Sequence, residues 1–390
     1  MYPRISDLIN DFFGTDILLA AKTFGFFLAL AFVAAYIALK SELLRKEKAG
    51  HFVLLKEKVR IQGPIHIREV IIQGLIWGIA GYKLGLMISN PDLFNNHTDQ
   101  ALMSLEGFWL TGLLGLLIAG GLKYREYSQK KDLEEKLEEV QAGPSFYLGT
   151  ILTIAFVAGI LGSKMFAMFE PNSGFWQDPL ADLLSFNGLS FFGGLITAGF
   201  LIIRYLYKKG FKILTSFDAF VPGLILAYAV GRIGCQMAGD GDWGIVNIAA
   251  KPGFLSWLPD WAWSFQFPHN VAMEGVPIPG CVGEYCYQLP QGVYPTPFYE
   301  TLMGLAIFGI LWGVRKKMKY PGVLTSMYLI MIGLERFLIE KIRVNELYEV
   351  AGIKFTQAEV ISIGLISAGI AVLIYALRKK DPLVVVPEAA

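Results

Sequence analysis

Apolar runs of about 20 residues recur along the whole chain and alternate with shorter polar stretches. Wound as an α-helix, such a run crosses a hydrocarbon core about 30 Å thick. The pattern predicts nine helices, at 17–39, 69–89, 108–122, 146–169, 188–206, 217–236, 298–314, 321–340 and 357–377. The third, Phe108 to Leu122, is the shortest. The expected fold is therefore an all-α polytopic integral membrane protein, a single membrane domain over residues 1–390. The longest connection, 237–297, is rich in Trp, Pro and Gly and reads as an external loop or lid. Its Trp257, Trp261 and Trp263 suit the headgroup zone of a bilayer.

Positive charge orients these helices, because Lys and Arg accumulate in cytoplasmic connections. Stretch 40–68 carries Lys40, Arg45, Lys46, Lys48, Lys56, Lys58, Arg60 and Arg68. Further clusters are Lys208, Lys209 and Lys212, then Arg315, Lys316, Lys317 and Lys319, then Arg378, Lys379 and Lys380. Between them, 90–107 and 170–187 contain no Lys or Arg, and 237–297 contains only Lys251. The alternation puts the N-terminus outside and the C-terminus in the cytoplasm. Segment 340–356 is the exception, with Lys341, Arg343 and Lys354 on the outer side. Stretch 123–145 is charged and helical in pattern, and its alternating signs from Lys130 to Glu139 predict a solvated cytoplasmic helix. The acidic start, with Asp7, Asp11 and Asp16, reads as the approach to a retained anchor rather than a cleavable signal.

Composition narrows the function. Of 390 residues 54% are hydrophobic and 17% charged, with a mean hydropathy of +0.48, which leaves no large soluble domain. Nucleic acid would meet no basic patch outside the thin cytoplasmic loops. His51, His66, His97 and His269 stand too far apart for metal-ligand spacing, so no metal site is expected. Neither a Gly-x-Ser-x-Gly elbow nor a Walker loop occurs. Cys235 reads as a small buried residue. Cys281 and Cys286, five residues apart in the external stretch, are placed to form a disulfide. A weak repeat relates Gly78-Ile79-Ala80-Gly81-Tyr82-Lys83-Leu84 to Gly159-Ile160-Leu161-Gly162-Ser163-Lys164-Met165, and small residues there favour close helix packing.

Charges inside the apolar runs point to chemistry. Arg232 lies near the end of one run and Arg336 within another. An arginine at membrane depth costs roughly 2.5–3.5 kcal/mol on insertion scales, so it faces a pocket or partner. Each stands fifteen residues beyond the inner boundary of its run. That is roughly 22 Å of helix rise, in the outer part of the core. Glu340 and Arg343 follow Arg336 at i+4 and i+7, on one helix face. Tyr294 to Glu300 and Ser190-Phe191-Phe192-Gly193-Gly194 begin two further runs from the outer side. Two guanidinium forks at one depth suit the phosphate of a phospholipid headgroup.

At these residues the chain resembles the prolipoprotein diacylglyceryl transferase family of the bacterial inner membrane. The resemblance rests on Gly231-Arg232-Ile233-Gly234 with its continuation Gly239-Asp240-Gly241-Asp242-Trp243-Gly244, and on Ser190 through Leu195. It rests also on Pro295 through Glu300, and on Glu335-Arg336-Phe337 followed by Glu340 and Arg343. It covers the first run and most of 146–377. That family has seven helices, so nine imply a seven-helix core with an extra transmembrane hairpin inserted over 69–122. The implied reaction moves the diacylglyceryl group of phosphatidylglycerol to the lipobox cysteine thiol of a prolipoprotein, forming a thioether and releasing glycerol 1-phosphate. It needs no metal or organic cofactor. Implied partners are phosphatidylglycerol, the lipobox peptide and membrane lipid, at a site toward the outer leaflet. By resemblance, Arg232 and Arg336 bind the phosphate and stabilise its departure. Gly193, Gly194, Asp240, Asp242, Tyr299 and Arg343 are expected to help bind substrate.

The chain also departs from that family. Histidine is common where this chain has Phe192 and frequent where it has Tyr294, and a first-helix tyrosine is replaced by Phe24. A free thiol ionises at about 8.5, lower beside guanidinium groups, so a dedicated base is not obligatory. The proton acceptor stays open among Tyr294, Glu300 and Glu340. Two other readings also stay open. One is a transporter, whose sites usually lie near the midplane on broken helices; the other is a non-catalytic lipid-binding homologue.

Overall fold

A computed structural model describes the chain except residues 16–20, 91, 92, 94–100, 102, 103, 169–190, 346, 347, 351, 352, 382 and 384–390. In chain order it gives α1 (Ile5–Phe13), α2 (Thr23–Lys48), β1 (Leu55–Gln62), α3 (Ile67–Ser89), α4 (Trp109–Lys130), β2 (Lys136–Ala142), α5 (Leu148–Ala167) and α6 (Phe191–Lys208). There follow α7 (Ile213–Ala238), β3 (Val276–Pro277), β4 (Tyr287–Gln288), α8 (Thr296–Val314), α9 (Val323–Glu340), β5 (Tyr348–Val350), β6 (Ile353–Phe355) and α10 (Gln357–Lys379). Among the described residues, nine helices of 18 residues or more fall on the nine apolar runs. Six of them, α2, α3, α5, α7, α8 and α10, are long and apolar enough to cross a membrane. The protein is a mostly helical, multi-pass membrane protein.

One expectation fails. Helix α4 stops at Lys130, and the charged residues beyond it do not continue as a solvated helix. They become β2, which pairs antiparallel with β1 and sets Lys58 opposite Glu139. Side-chain pairs along a lone helix contribute only about 0.2–0.5 kcal/mol each. Backbone hydrogen bonds form in either state, but pairing with β1 adds cross-strand charge pairs of roughly 0.2–1 kcal/mol each, and so the strand prevails.

The chain divides into two compact units. The unit spanning Leu54–Lys209 contains two helical hairpins, α3 with α4 and α5 with α6, each preceded by one strand of the β1–β2 pair. Both hairpins are packed through glycine. A Cβ at Gly81 would lie 2.4 Å from the Thr111 carbonyl oxygen, and one at Gly193 would lie 2.4 Å from the Gly162 oxygen. The two weakly similar segments thus hold equivalent places, each on the first helix of a hairpin. Lys83 uses its position to bind the carbonyls of Ala101 and Glu106, at 2.8 and 2.9 Å.

The second unit comprises Met1–Ile17, Ala21–Val53 and Gly210–Ala390. Here α2 packs on α7, α7 on α8 and α9, and α9 on α10. Val221, Ile225, Ile307, Leu311 and Leu324 form the core between α7, α8 and α9. Buried charges pin the same helices. Asp218 accepts hydrogen bonds from the backbone N–H of Gly322 (2.7 Å) and Thr325 (2.8 Å), which gives α9 an acidic N-terminal cap supplied by α7. Buried Glu42 of α2 pairs with Arg45 and with Arg315 at the end of α8.

Candidate active site

Fourteen residues past the cap at Asp218, about 21 Å along the α7 axis, stands Arg232. Helix α7 ends when Gly239 takes a left-handed conformation (φ 67°), and the chain turns back through Asp240 and Asp242. The backbone then ties three elements together. Gly244 donates its N–H to the Tyr294 carbonyl ahead of α8, and Ile245 donates to the Ile342 carbonyl after α9, both at 2.8 Å. Thr296 Oγ1 donates to the Asp242 carbonyl at 2.6 Å. Only glycine fits at 244, because a Cβ would sit 2.4 Å from the Ile342 oxygen. On the other flank Gly234 lies against Phe24 and Phe27 of α2.

This framework draws three arginines and three carboxylates into one network. Arg232 Nε lies 3.3 Å from Glu300 Oε2, while Arg336 Nη1 and Arg343 Nη1 lie 3.5 and 3.6 Å from Oε1. Asp242 takes Arg232 on one oxygen and Arg343 on the other. Arg336 Nη2 also reaches Glu340 Oε2 at 3.1 Å, and Asn345 Nδ2 donates to Glu340 Oε1 at 2.6 Å. The burial is unequal. The side chain of Glu300 is 0% exposed and that of Glu340 1%, whereas Arg232, Arg336 and Arg343 keep 17%, 23% and 13% of theirs open. Asp242, which bridges Arg232 and Arg343, is the most open member at 31%. The two glutamates are sealed while the guanidinium groups stay partly accessible, an arrangement that can receive an anion.

In the turn after α7, burial works against charge on both aspartates. At Asp242 the charges of Arg232 and Arg343 outweigh it and hold the carboxyl below its ordinary value. At Asp240 burial prevails and raises the carboxyl, although a hydrogen bond from Cys235 opposes it. Cys235, Asp240 and Asp242 offer ligand atoms within 4.8 Å of one another, but both oxygens of Asp242 are already engaged by arginine.

Of the residues singled out from sequence, Arg232, Asp242, Glu300, Arg336, Glu340 and Arg343 meet here, with Asp240 behind Asp242. Tyr294 contributes backbone and packs its ring edge-to-face with Trp263 at 5.8 Å, and the Tyr299 hydroxyl donates to the Ala262 carbonyl at 2.9 Å. Both brace the external segment. Gly193 and Gly194 belong to the other unit, where they pack α6 on α5. The side chain of Phe192 lies outside the described residues. In the external segment, Cys281 and Cys286 are joined in a disulfide, and His269 Nδ1 lies 2.8 Å from the Tyr285 carbonyl oxygen. Two members were missed. Tyr228 precedes Arg232 by four residues and shares its helix face, and Glu335 is a carboxylate within an apolar helix beside Arg336.

Comparison with known proteins identifies the family. The family described as prolipoprotein diacylglyceryl transferase matches residues 103–375, more than two thirds of the chain. The phosphatidylglycerol–prolipoprotein diacylglyceryl transferase of Fervidobacterium nodosum is 30% identical over 269 residues, covering 68% of this chain and 79% of its own. That of Chlorobaculum tepidum is 28% identical over 250 residues, covering 60% and 75%. The second such enzyme of Clostridium perfringens is 27% identical over 311 residues, covering 79% and 95%. The matched region contains every member of the arginine–carboxylate network, and the chain belongs to the prolipoprotein diacylglyceryl transferase family.

Proposed function

We propose that this protein transfers the diacylglyceryl group of phosphatidylglycerol to the lipobox cysteine of a prolipoprotein, at the outer leaflet of a bacterial inner membrane. The observation that carries the reading is the set of three partly open guanidinium groups held by two sealed glutamates, Glu300 and Glu340. A phosphodiester oxygen enters among Arg232, Arg336 and Arg343. The thiol sulfur then attacks the glyceryl carbon and forms the C–S bond, while the C–O bonding pair leaves with the phosphate. The departing phosphate passes from one negative charge to two. Donors already fixed around that charge stabilise its growth without reorganising.

The thiol proton passes to a carboxylate of the network, so neither a metal nor an organic cofactor enters any step. The external segment 237–297 acts as the lid that admits the peptide, and 69–122 is an inserted hairpin outside the core. The absence of histidine at Phe192 and Tyr294 favours one rival, a lipid-binding homologue without catalysis. Purified protein, phosphatidylglycerol vesicles and a lipobox peptide decide between them. Transfer predicts a thioether adduct by mass spectrometry and one glycerol 1-phosphate released per adduct, with no histidine restored. Turnover that appears only in Phe192→His would establish the non-catalytic reading.

A further inference from the structure

Tyr228 stands between two carboxyl groups, and its single hydrogen can make a well-aligned bond to only one of them. The phenol oxygen is 3.1 Å from Glu300 Oε1 and 3.2 Å from Glu335 Oε1. A phenol has one donor. With both carboxyls ionised, one contact would set an oxygen lone pair against an anion in a site shielded from water. The second contact is a full hydrogen bond of its own only where the carboxyl carries a proton and donates it to the phenol oxygen.

The surroundings decide which carboxyl that is. Glu300 is an anion, because three arginines converge on it. Glu335 is 3% exposed, makes no ion pair among the described residues, and its Oε2 has no hydrogen-bond partner. A buried carboxylate without a cation is far costlier than the neutral acid. The groups facing it are Tyr228 and Arg232 of α7, Glu300 of α8, and Tyr328 and Arg336 of its own helix. On α10, Glu359 is already paired with Lys341. The charge count agrees. Three arginines balance Asp242, Glu300 and Glu340, and with Asp240 already behind Asp242 a further carboxylate would add negative charge where a phosphodiester has to bind.

We propose that Glu335 is held as the un-ionised acid and, by donating to Tyr228, aims the phenol hydrogen at Glu300. It is a positioning residue, and it fixes Glu300 among the three arginines. Its consequence for turnover rests on the transfer reading given above; its protonation does not. Loss of the proton would turn the Tyr228 hydrogen toward Glu335, release Glu300, and add negative charge beside the arginines. Turnover therefore falls as pH rises through the ionisation of Glu335. The substrate thiol ionises over rising pH too, but that raises turnover and cannot imitate the fall.

Infrared spectroscopy of the full chain in phosphatidylglycerol nanodiscs reads the acid directly through its C=O stretch. The wild type should show a carboxylic acid band at neutral pH that bleaches in alkali. Glu335→Gln should lack that band, and Tyr228→Phe should shift it, since the acid then loses its acceptor. In the transfer assay, wild-type kcat should drop about tenfold per pH unit along the alkaline limb. That limb should vanish in Glu335→Gln, whose amide is a permanently neutral donor. A band that survives Glu335→Gln, or an alkaline limb unchanged in both variants, overturns the proposal. Should Glu335→Gln fail to fold, an unshifted band in Tyr228→Phe overturns it. A wild type that shows the band but transfers nothing refutes the proposed function and leaves the protonation of Glu335 standing.

Discussion

Arg232 of α7 and Arg336 of α9 close on the two oxygens of one carboxylate, that of Glu300, at 3.3 and 3.5 Å. Neither helix could hold its arginine in an apolar layer alone. Breaking a buried pair by removing one partner typically costs about 3–5 kcal/mol. The network therefore sets the packing of α7, α8 and α9 and shapes the site at the same time.

Arg232→Lys and Arg336→Lys should each reduce transfer by about 100-fold or more while the protein still inserts. Lysine keeps the charge but loses the planar fork that grips two phosphate oxygens. Turnover and membrane insertion are measured on the same purified variants, and near-normal turnover in both would refute the phosphate role.

Gly244→Ala tests the backbone frame. Its new methyl group would press on the Ile342 carbonyl and on Tyr294 Cβ. Overpacking of this kind costs about 1–3 kcal/mol. A lower melting temperature together with slower transfer is expected. Unchanged melting would mean that the turn after α7 moves freely relative to α8 and α9.

The pH dependence of Asp242 has a definite sign. Its folded carboxyl is held below the ordinary value by Arg232 and Arg343, against burial. Its contribution to stability is therefore present above the unfolded value of about 3.9 and is lost as pH falls through the lower folded one. Melting temperature should drop on acidification below about pH 4 in the wild type. Asp242→Asn should melt lower at neutral pH and show a shallower acid loss.

Orientation is tested by single cysteines in a variant lacking the native three. Ser256→Cys in the external segment should react with an impermeant maleimide in intact cells. Lys48→Cys, Lys130→Cys and Lys208→Cys should react only after the membrane is opened. The reverse pattern would move the arginine network to the inner leaflet and remove the argument for periplasmic chemistry.

The disulfide concerns the lid. Cys281→Ser with Cys286→Ser should make the segment around β3 and β4 more sensitive to protease and raise the KM for peptide. Unchanged cleavage and unchanged kinetics would make this segment a passive loop.

Nine apolar runs foretold the nine long helices found among the described residues, because each span must satisfy its own backbone hydrogen bonds within the membrane, so length and hydropathy speak locally. Arg232 and Arg336 were legible for a related reason, since a charge in such a run is costly wherever it points, and equal depth follows from counting residues. What a run contains does not say what it meets. The change from helix to strand at Lys136–Ala142 depended on β1, a partner more than 70 residues away. Gly193 and Gly194 look alike in sequence whether they approach a lipid or a helix, and the fold sets them against α5. The convergence of Arg232, Asp242, Glu300, Arg336, Glu340 and Arg343 arises from contacts among three helices and one turn. Tyr228 and Glu335 gain a role only there, because one hydroxyl placed between two carboxyls is a relation between helices that no single stretch of sequence contains.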